Sequence, residues 1–226
     1  MTTIQKNFHL LQEEIKNCCK VCGRELEQIK LVAVSKTFPV SDMVEILETG
    51  HKIFGENKAQ EIRDKMEQLE GKEIEWHFIG PLQKNKVKYV AGKTKLIHSV
   101  ENEKIAREID KRTSNEGKIQ DILIEVNVSG EESKHGLNPA ETQSFIQKLR
   151  VYKNIQVKGL MTMAPLTDDE EIIRDTFRGL RELRDRLQKE HQQIIQLSMG
   201  MTNDYKIAIE EGATILRIGS AIFGTR

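Results

Sequence analysis

The chain has 226 residues, of which 35 are basic, 35 acidic and 38% hydrophobic. That length can bury a sizeable core in one large or two small domains, and the cancelling charges exclude a net field that would gather nucleic acid or an anionic membrane surface. No apolar run is long enough to span a bilayer, MTTIQKNFHL lacks the basic and apolar regions of a secretory signal, and the three clustered cysteines form no disulfide framework; together these predict a cytoplasmic protein without membrane or nucleic-acid partners.

Ile4, Phe8, Leu11, Ile15, Cys18 and Cys22 alternate at four- and three-residue steps, which predicts an amphipathic helix within residues 1–24. The same stripe accounts for the CxxC of Cys19 and Cys22, because the further ligands that a zinc site needs do not follow. LVAVSK predicts strand 1, and SDMVEILETG a helix with Asp42 and Glu45 as a capping box and Gly50 at its exit. KIFGEN is the second strand, before a helix with Ala59, Ile62, Met66 and Leu69 on one face. EWHFIG is the third, followed by the basic segment QKNKVKYV. TKLIHSV is the fourth, before a helix carrying Ile105, Ala106 and Ile109. DILIEVNVS is the fifth, and Asn138, Pro139 and Glu141 of NPAE open its helix as cap, first residue and box partner. IQVKGLM, IIQLSMG and TILRIGS are strands six to eight. The long helix after the sixth buries Ile173, Phe177, Leu180 and Leu187; the one after the seventh, around Ala208 and Ile209, stops at Gly212.

No linker or composition shift divides the chain, so residues 1–226 read as one domain. Eight strands, each with a helical or loop return, predict an α/β protein built as a single (β/α)8 barrel rather than an open doubly wound sheet. The N-terminal helix is extra and covers the barrel's bottom or side.

Chemistry in such a barrel gathers at the C-terminal strand ends. Alternation puts Val32, Val34 and Lys36 on one face, so Lys36 is expected at the mouth, pointing inward. A partly desolvated lysine holds the neutral amine that Schiff-base chemistry with an aldehyde requires. A lysine that merely snorkels from the strand end fits the position equally well. SMGMTND and IGSAIFG, after strands 7 and 8, are rich in glycine and small hydroxyl residues. Ser198, Gly200, Gly219 and Ser220 could cradle a phosphate there, or serve only turns and caps. Arg217 alternates against Leu216 and Ile218 and so faces the interior, where it needs a partner: Glu125, Glu56 or a ligand acceptor atom. His77 alternates with Ile79 and reads as a core histidine or as one that approaches a ligand at the mouth, where it is a candidate acid or base. Met161 and Met163 pack the mouth or a ligand's face, and Lys84, Lys86 and Lys88 form a basic stretch that is either a solvated surface or a site for phosphorylated ligands or a partner.

These blocks resemble the pyridoxal 5′-phosphate (PLP) homeostasis protein family, similar in fold to the alanine racemase N-terminal barrel of fold-type III. The resemblance runs through VAVSKTFP, FGENKAQE, WHFIGPLQKNK, IHSVEN, GLMTMAP and SMGMTNDYKIAIEEGATILRIGSAIFGTR. It implies that Lys36 carries PLP as a Schiff base, that Asn57 lies beside the cofactor and that Arg217 faces the pyridine nitrogen. It also implies that Ser198, Gly200, Gly219 and Ser220 hold the phosphate, with Thr202 a hydroxyl variant of the usual serine. Lys134 is a candidate second PLP-accepting amine. An arginine only donates to the ring nitrogen, which leaves the ring a weaker electron sink than a carboxylate does. The chain ends soon after strand 8, and Tyr89, Tyr152 and Tyr205 sit at no obvious strand end. The resemblance therefore implies a monomeric PLP carrier without robust turnover, serving vitamin B6, amino-acid and keto-acid balance and handing PLP to apo-enzymes. The alternatives are a PLP-dependent amino-acid racemase and, in a different class, a Schiff-base aldolase.

Overall fold

A computed structural model describes residues 1–131 and 134–224. The last two residues of the expected 1–226 domain therefore lie outside the described ones. Eight parallel strands close into a barrel in sequence order: β1 (Lys30–Val34), β2 (Ile53–Glu56), β3 (Glu75–Phe78), β4 (Leu96–Val100), β5 (Gln120–Glu125), β6 (Ile155–Met161), β7 (Gln196–Ser198) and β8 (Ile215–Ile218). β8 closes on β1 with Val32 opposite Arg217. The returns are α2 (Val40–Leu47), α3 (Ala59–Gln68), a 3-10 helix over Lys84–Tyr89, α4 (Glu103–Asn115), α5 (Pro139–Leu149), α6 (Glu170–Gln188), α7 (Tyr205–Glu210) and the short α8 (Ser220–Phe223).

Alternation along the strands divides the apolar residues into two cores. Val32, Leu96, Leu123, Met161 and Ile215 fill the barrel, with Met163 and Ile53 packed against them. Their sequence neighbours Ala33, Ile97, Ile122, Leu160 and Leu216 face outward under the helices. Fully burying each such side chain contributes about 1.5–3 kcal/mol before the entropy of ordering it is subtracted. The predicted helix faces are the buried ones: Ile105, Ala106 and Ile109 on α4, and Ile173, Phe177, Leu180 and Leu187 on α6. Gly212 turns the chain out of α7 at φ 95°, a conformation that glycine adopts without a Cβ penalty.

The extra helix is α1 (Thr3–Val21), which buries Phe8, Leu11, Ile15 and Cys19. It packs on the barrel's side, against α2, α7 and α8. The Asn7 side-chain amide donates to the Ile222 carbonyl at 3.2 Å, and the Tyr205 hydroxyl donates to Glu14 at 2.6 Å. Two caps differ from expectation. α2 begins at Val40 behind Pro39, so Asp42 and Glu45 form no box, and Glu45 instead accepts from the Thr2 hydroxyl on α1. On α5 the Asn138 side chain caps the Ala140 amide at 2.9 Å, with Pro139 in the first turn, but Glu141 adds no reciprocal bond.

Candidate functional site

β1 stops at Val34, and the buried position that follows is taken by Ser35. Its hydroxyl donates to Glu56 Oε1 at 2.7 Å. Lys36 follows in a turn and is exposed, so it is neither a strand residue nor desolvated, which corrects the reading from strand alternation. Its ammonium has no hydrogen bond or ion pair among the described residues. The next residue, Thr37, is at φ 70°, a left-handed conformation that is uncommon for a β-branched residue and needs external support. Glu61 supplies it by accepting the Thr37 N–H. Lys65, buried on α3, donates to the Ser35 carbonyl at 2.7 Å, to Glu56 Oε1 at 2.7 Å and to Glu61 Oε1 at 2.8 Å. A buried ion-pair cluster thus clamps both sides of Lys36. In sequence, Glu61 and Lys65 look like an ordinary i,i+4 surface pair, which is why the clamp is invisible there.

Asn57 follows β2, beside this turn. Gly80 lies against it so closely that a Cβ there would meet the Asn57 carbonyl oxygen at 2.1 Å. The Asn57 Oδ1 and Glu56 Oε2 atoms are both buried without a hydrogen-bond partner among the described residues. Burial pushes the Glu56 carboxyl upward, against the pull of Lys65.

Arg217 faces the interior as expected, but neither Glu125 nor Glu56 bonds it. Its Nη1 donates to Ser198 Oγ at 2.6 Å and its Nη2 to the Thr162 carbonyl at 3.0 Å. Burial lowers it to about 10, against the attraction of Asp204 and Glu125, so it stays cationic at neutral pH. Ser198 is wholly buried, with His98 Nδ1 2.8 Å from its Oγ. Its hydroxyl is therefore committed to Arg217 and His98, and any share in a phosphate cradle falls to its backbone. His98 was missed in the sequence, although it alternates with the interior Leu96.

Glu125, at the end of β5, is buried and pushed up to about 7 by burial and by Glu101. A carboxyl that binds its proton more tightly folded than unfolded adds stability at low pH and loses it as pH rises from about 4.5 through 7. Glu125→Gln is expected to remove that decline. At pH 8 it should melt higher than wild type, by an amount on the order of 3 kcal/mol. Thermal melts at pH 5 and pH 8 measure the difference; equal pH dependence in the two proteins would refute it.

The loops after β7 and β8 meet each other. Gly200 sits at φ 93°, where a Cβ would meet the Ala208 Cβ at 2.6 Å, and its carbonyl accepts the Arg217 N–H at 3.0 Å. The Ser220 hydroxyl donates to Thr202 Oγ1 at 3.0 Å. A Cβ on Gly219 would meet the Val34 carbonyl oxygen at 3.2 Å, so this loop lies against the end of the strand that leads into Lys36. Ser198, Gly200, Arg217, Gly219, Ser220, Lys36 and Asn57 thus border one arc of the mouth, from β7 through β8 and β1 to β2.

Other candidates lie elsewhere. Tyr152 donates to Glu103 at 2.7 Å, Tyr205 reaches Glu14 on α1, and the Tyr89 ring is overlain by Arg63, Lys86 and Lys88. Lys134 Nζ lies 4.0 Å from Glu131. Among the described residues no helix is long and apolar enough to cross a membrane.

Residues 9–226 match the family described as alanine racemase, N-terminal domain. A pyridoxal phosphate homeostasis protein of Aquifex aeolicus is 46% identical over 215 residues, covering 95% of this chain and 94% of that protein. One from Vibrio cholerae is 39% identical, covering 100% and 98%. The chain belongs to the pyridoxal phosphate homeostasis protein family. PipY of Synechococcus elongatus, solved with PLP bound, superposes with a TM-score of 0.83 at 29% identity, covering 93% of this chain and 99% of that one. The alanine racemase of Clostridium difficile shares the fold, with a TM-score of 0.79 at 16% identity over 57% of its own length. The segments VAVSK, GEN, SMGM and RIGS are the ones that lie along the mouth's arc.

Proposed function

We propose that this protein binds PLP as a Schiff base on Lys36 and serves PLP homeostasis, and through it amino-acid and keto-acid balance, without robust turnover. The observation that carries this reading is the unpartnered Lys36 amine on the rim, in the same arc as the buried Arg217 cation and the paired hydroxyls of Thr202 and Ser220. The residues fit the cofactor. Asn57 Oδ1 is a buried acceptor left without a donor, which costs about 1–3 kcal/mol unless a ligand or water supplies one. PLP supplies an aldehyde for the lysine and a ring that withdraws electrons.

The chain's own groups do the rest. Arg217 only donates, and with Ser198 and Thr162 as its partners it brings no proton that the ring nitrogen could keep. Gly200 and Gly219 let the two loops approach, while Thr202 and Ser220 would hold the phosphate. A racemase needs a second acid or base at the mouth. The described tyrosines that could serve are engaged elsewhere, by Glu103, Glu14 and the basic stretch. The relatives named for homeostasis are matched over 94–98% of their length, whereas the racemase is matched over only 57% of its own. This favours a homeostasis protein over a racemase, and the reading takes it as a monomeric, cytoplasmic carrier whose recipients are PLP-dependent apo-enzymes.

Borohydride reduction of the protein mixed with PLP is expected to fix a pyridoxyl group on the Lys36 peptide, read by mass spectrometry. Lys36→Ala should lose both the adduct and the visible absorption band. An adduct confined to another lysine, or none, would overturn the assignment.

A further inference from the structure

Below Arg217 a continuous line of polar side chains runs down the barrel interior. Ser198 Oγ lies 2.8 Å from His98 Nδ1, and His98 Nε2 lies 2.8 Å from His77 Nδ1. His77 Nε2 in turn lies 3.0 Å from Glu75 Oε1, at the first residue of β3, and Lys30 Nζ, at the first residue of β1, lies 2.6 Å from the same oxygen. His77, His98 and Ser198 are fully buried, while Glu75 and Lys30 reach solvent at the barrel's N-terminal end.

The two ends dictate the direction of every bond. A guanidinium can only donate, so Ser198 Oγ accepts from Arg217. A carboxylate can only accept, so His77 presents Nε2–H to Glu75, and as a neutral ring, which its burial favours, it keeps Nδ1 as an acceptor. His98 must then donate through Nε2–H to His77, and its bare Nδ1 takes the Ser198 hydroxyl proton. Between those ends, Ser198, His98 and His77 are each used in the line once as donor and once as acceptor.

We propose that Glu75, at the end of the barrel remote from the mouth, is a positioning residue for Arg217, acting through this one-way relay that fixes His77 and His98 as neutral Nε2–H tautomers. Its bearing on PLP rests on the function proposed above; the relay itself does not. Burial pushes both imidazoles down, further in His98, which also faces His77, Arg217 and Lys30; the bond to Glu75 opposes this in His77, while Lys30 and Lys95 add to it. The bond from His77, together with that from Lys30, holds Glu75 down to about 2, so the accepting end stays ionised. Protonating either ring would turn an acceptor nitrogen into a donor and break the line.

Long-range 1H–15N spectra of the intact, 15N-histidine-labelled protein without PLP test the relay directly. Both rings are expected to show protonated Nε2 and bare Nδ1, unchanged from pH 5.5 to 8. An Nδ1–H tautomer at either ring, or titration near the ordinary histidine value of about 6.5, would overturn it. Glu75→Leu should let His98 populate both tautomers and weaken PLP binding about three- to tenfold, as loss of one ordered hydrogen bond would. Glu75→Gln, which keeps an acceptor oxygen, should restore both. Unchanged His98 signals and affinity in a folded Glu75→Leu protein would overturn the coupling. If that variant does not fold, the wild-type tautomers decide. If wild-type protein takes up no PLP, the proposed function falls and the spectra still decide the relay.

Discussion

Lys65→Met is expected to cost about 3–5 kcal/mol, because it leaves Glu56 buried with no cation beside it. The Glu56 side chain is wholly inaccessible and that of Lys65 is 6% exposed. For a chain of this size the loss corresponds to a fall of roughly 10 °C in Tm. Pairing it with Glu56→Gln should recover most of the loss, since removing both charges also removes the uncompensated one. The substitution also releases the Ser35 carbonyl and loosens the Glu61 bond that holds Thr37, so the turn carrying Lys36 should lose order. Borohydride trapping of PLP on Lys36 should then slow even at temperatures where the variant is folded. Thermal melts of the two single variants and the double variant form the cycle that separates the ion pair from its parts. A loss below 1 kcal/mol in the single Lys65 variant would refute the clamp.

Gly80→Ala is the second substitution with a large expected effect. Gly80 is not in the left-handed region, so the cost lies in contact alone. A methyl 2.1 Å from the Asn57 carbonyl oxygen and 2.7 Å from its Cα forces backbone to move. Overpacking of this kind costs about 1–3 kcal/mol. Here the segment that yields carries Asn57, which the proposed function places beside PLP, so PLP affinity should fall by about tenfold or more, well beyond the effect of the stability loss on a folded sample. Absorbance titration with PLP below the melting range reads this. Wild-type affinity in a folded Gly80→Ala protein would remove Asn57 from the site.

Much of the architecture was legible in the residues. Apolar residues at period 2 in DILIEVNVS and at period 3.6 through Ile173, Phe177, Leu180 and Leu187 dictate which face is buried, whatever the neighbours are. Eight strand–return units in order then leave few closures besides the barrel. Arg217 was placed correctly for the same reason, since alternation with Leu216 and Ile218 decides its face.

What alternation could not decide is where a strand stops. Extending β1 by two residues makes Lys36 a desolvated strand residue, whereas it lies exposed in the turn that follows. The fold ends the strand at Val34 because Lys65 and Glu61, from a helix some 30 residues on, secure a left-handed Thr37. The partners of Arg217 were beyond reach for a related reason. Ser198 and Thr162 come from β7 and the end of β6, and His98 and His77 from β4 and β3. Only closure of the barrel brings those strands within hydrogen-bond distance. Local periodicity determined which side chains point inward; the long-range register of the closed sheet decided which of them touch, because hydrogen bonds between strands are set by three-dimensional spacing that no single segment encodes.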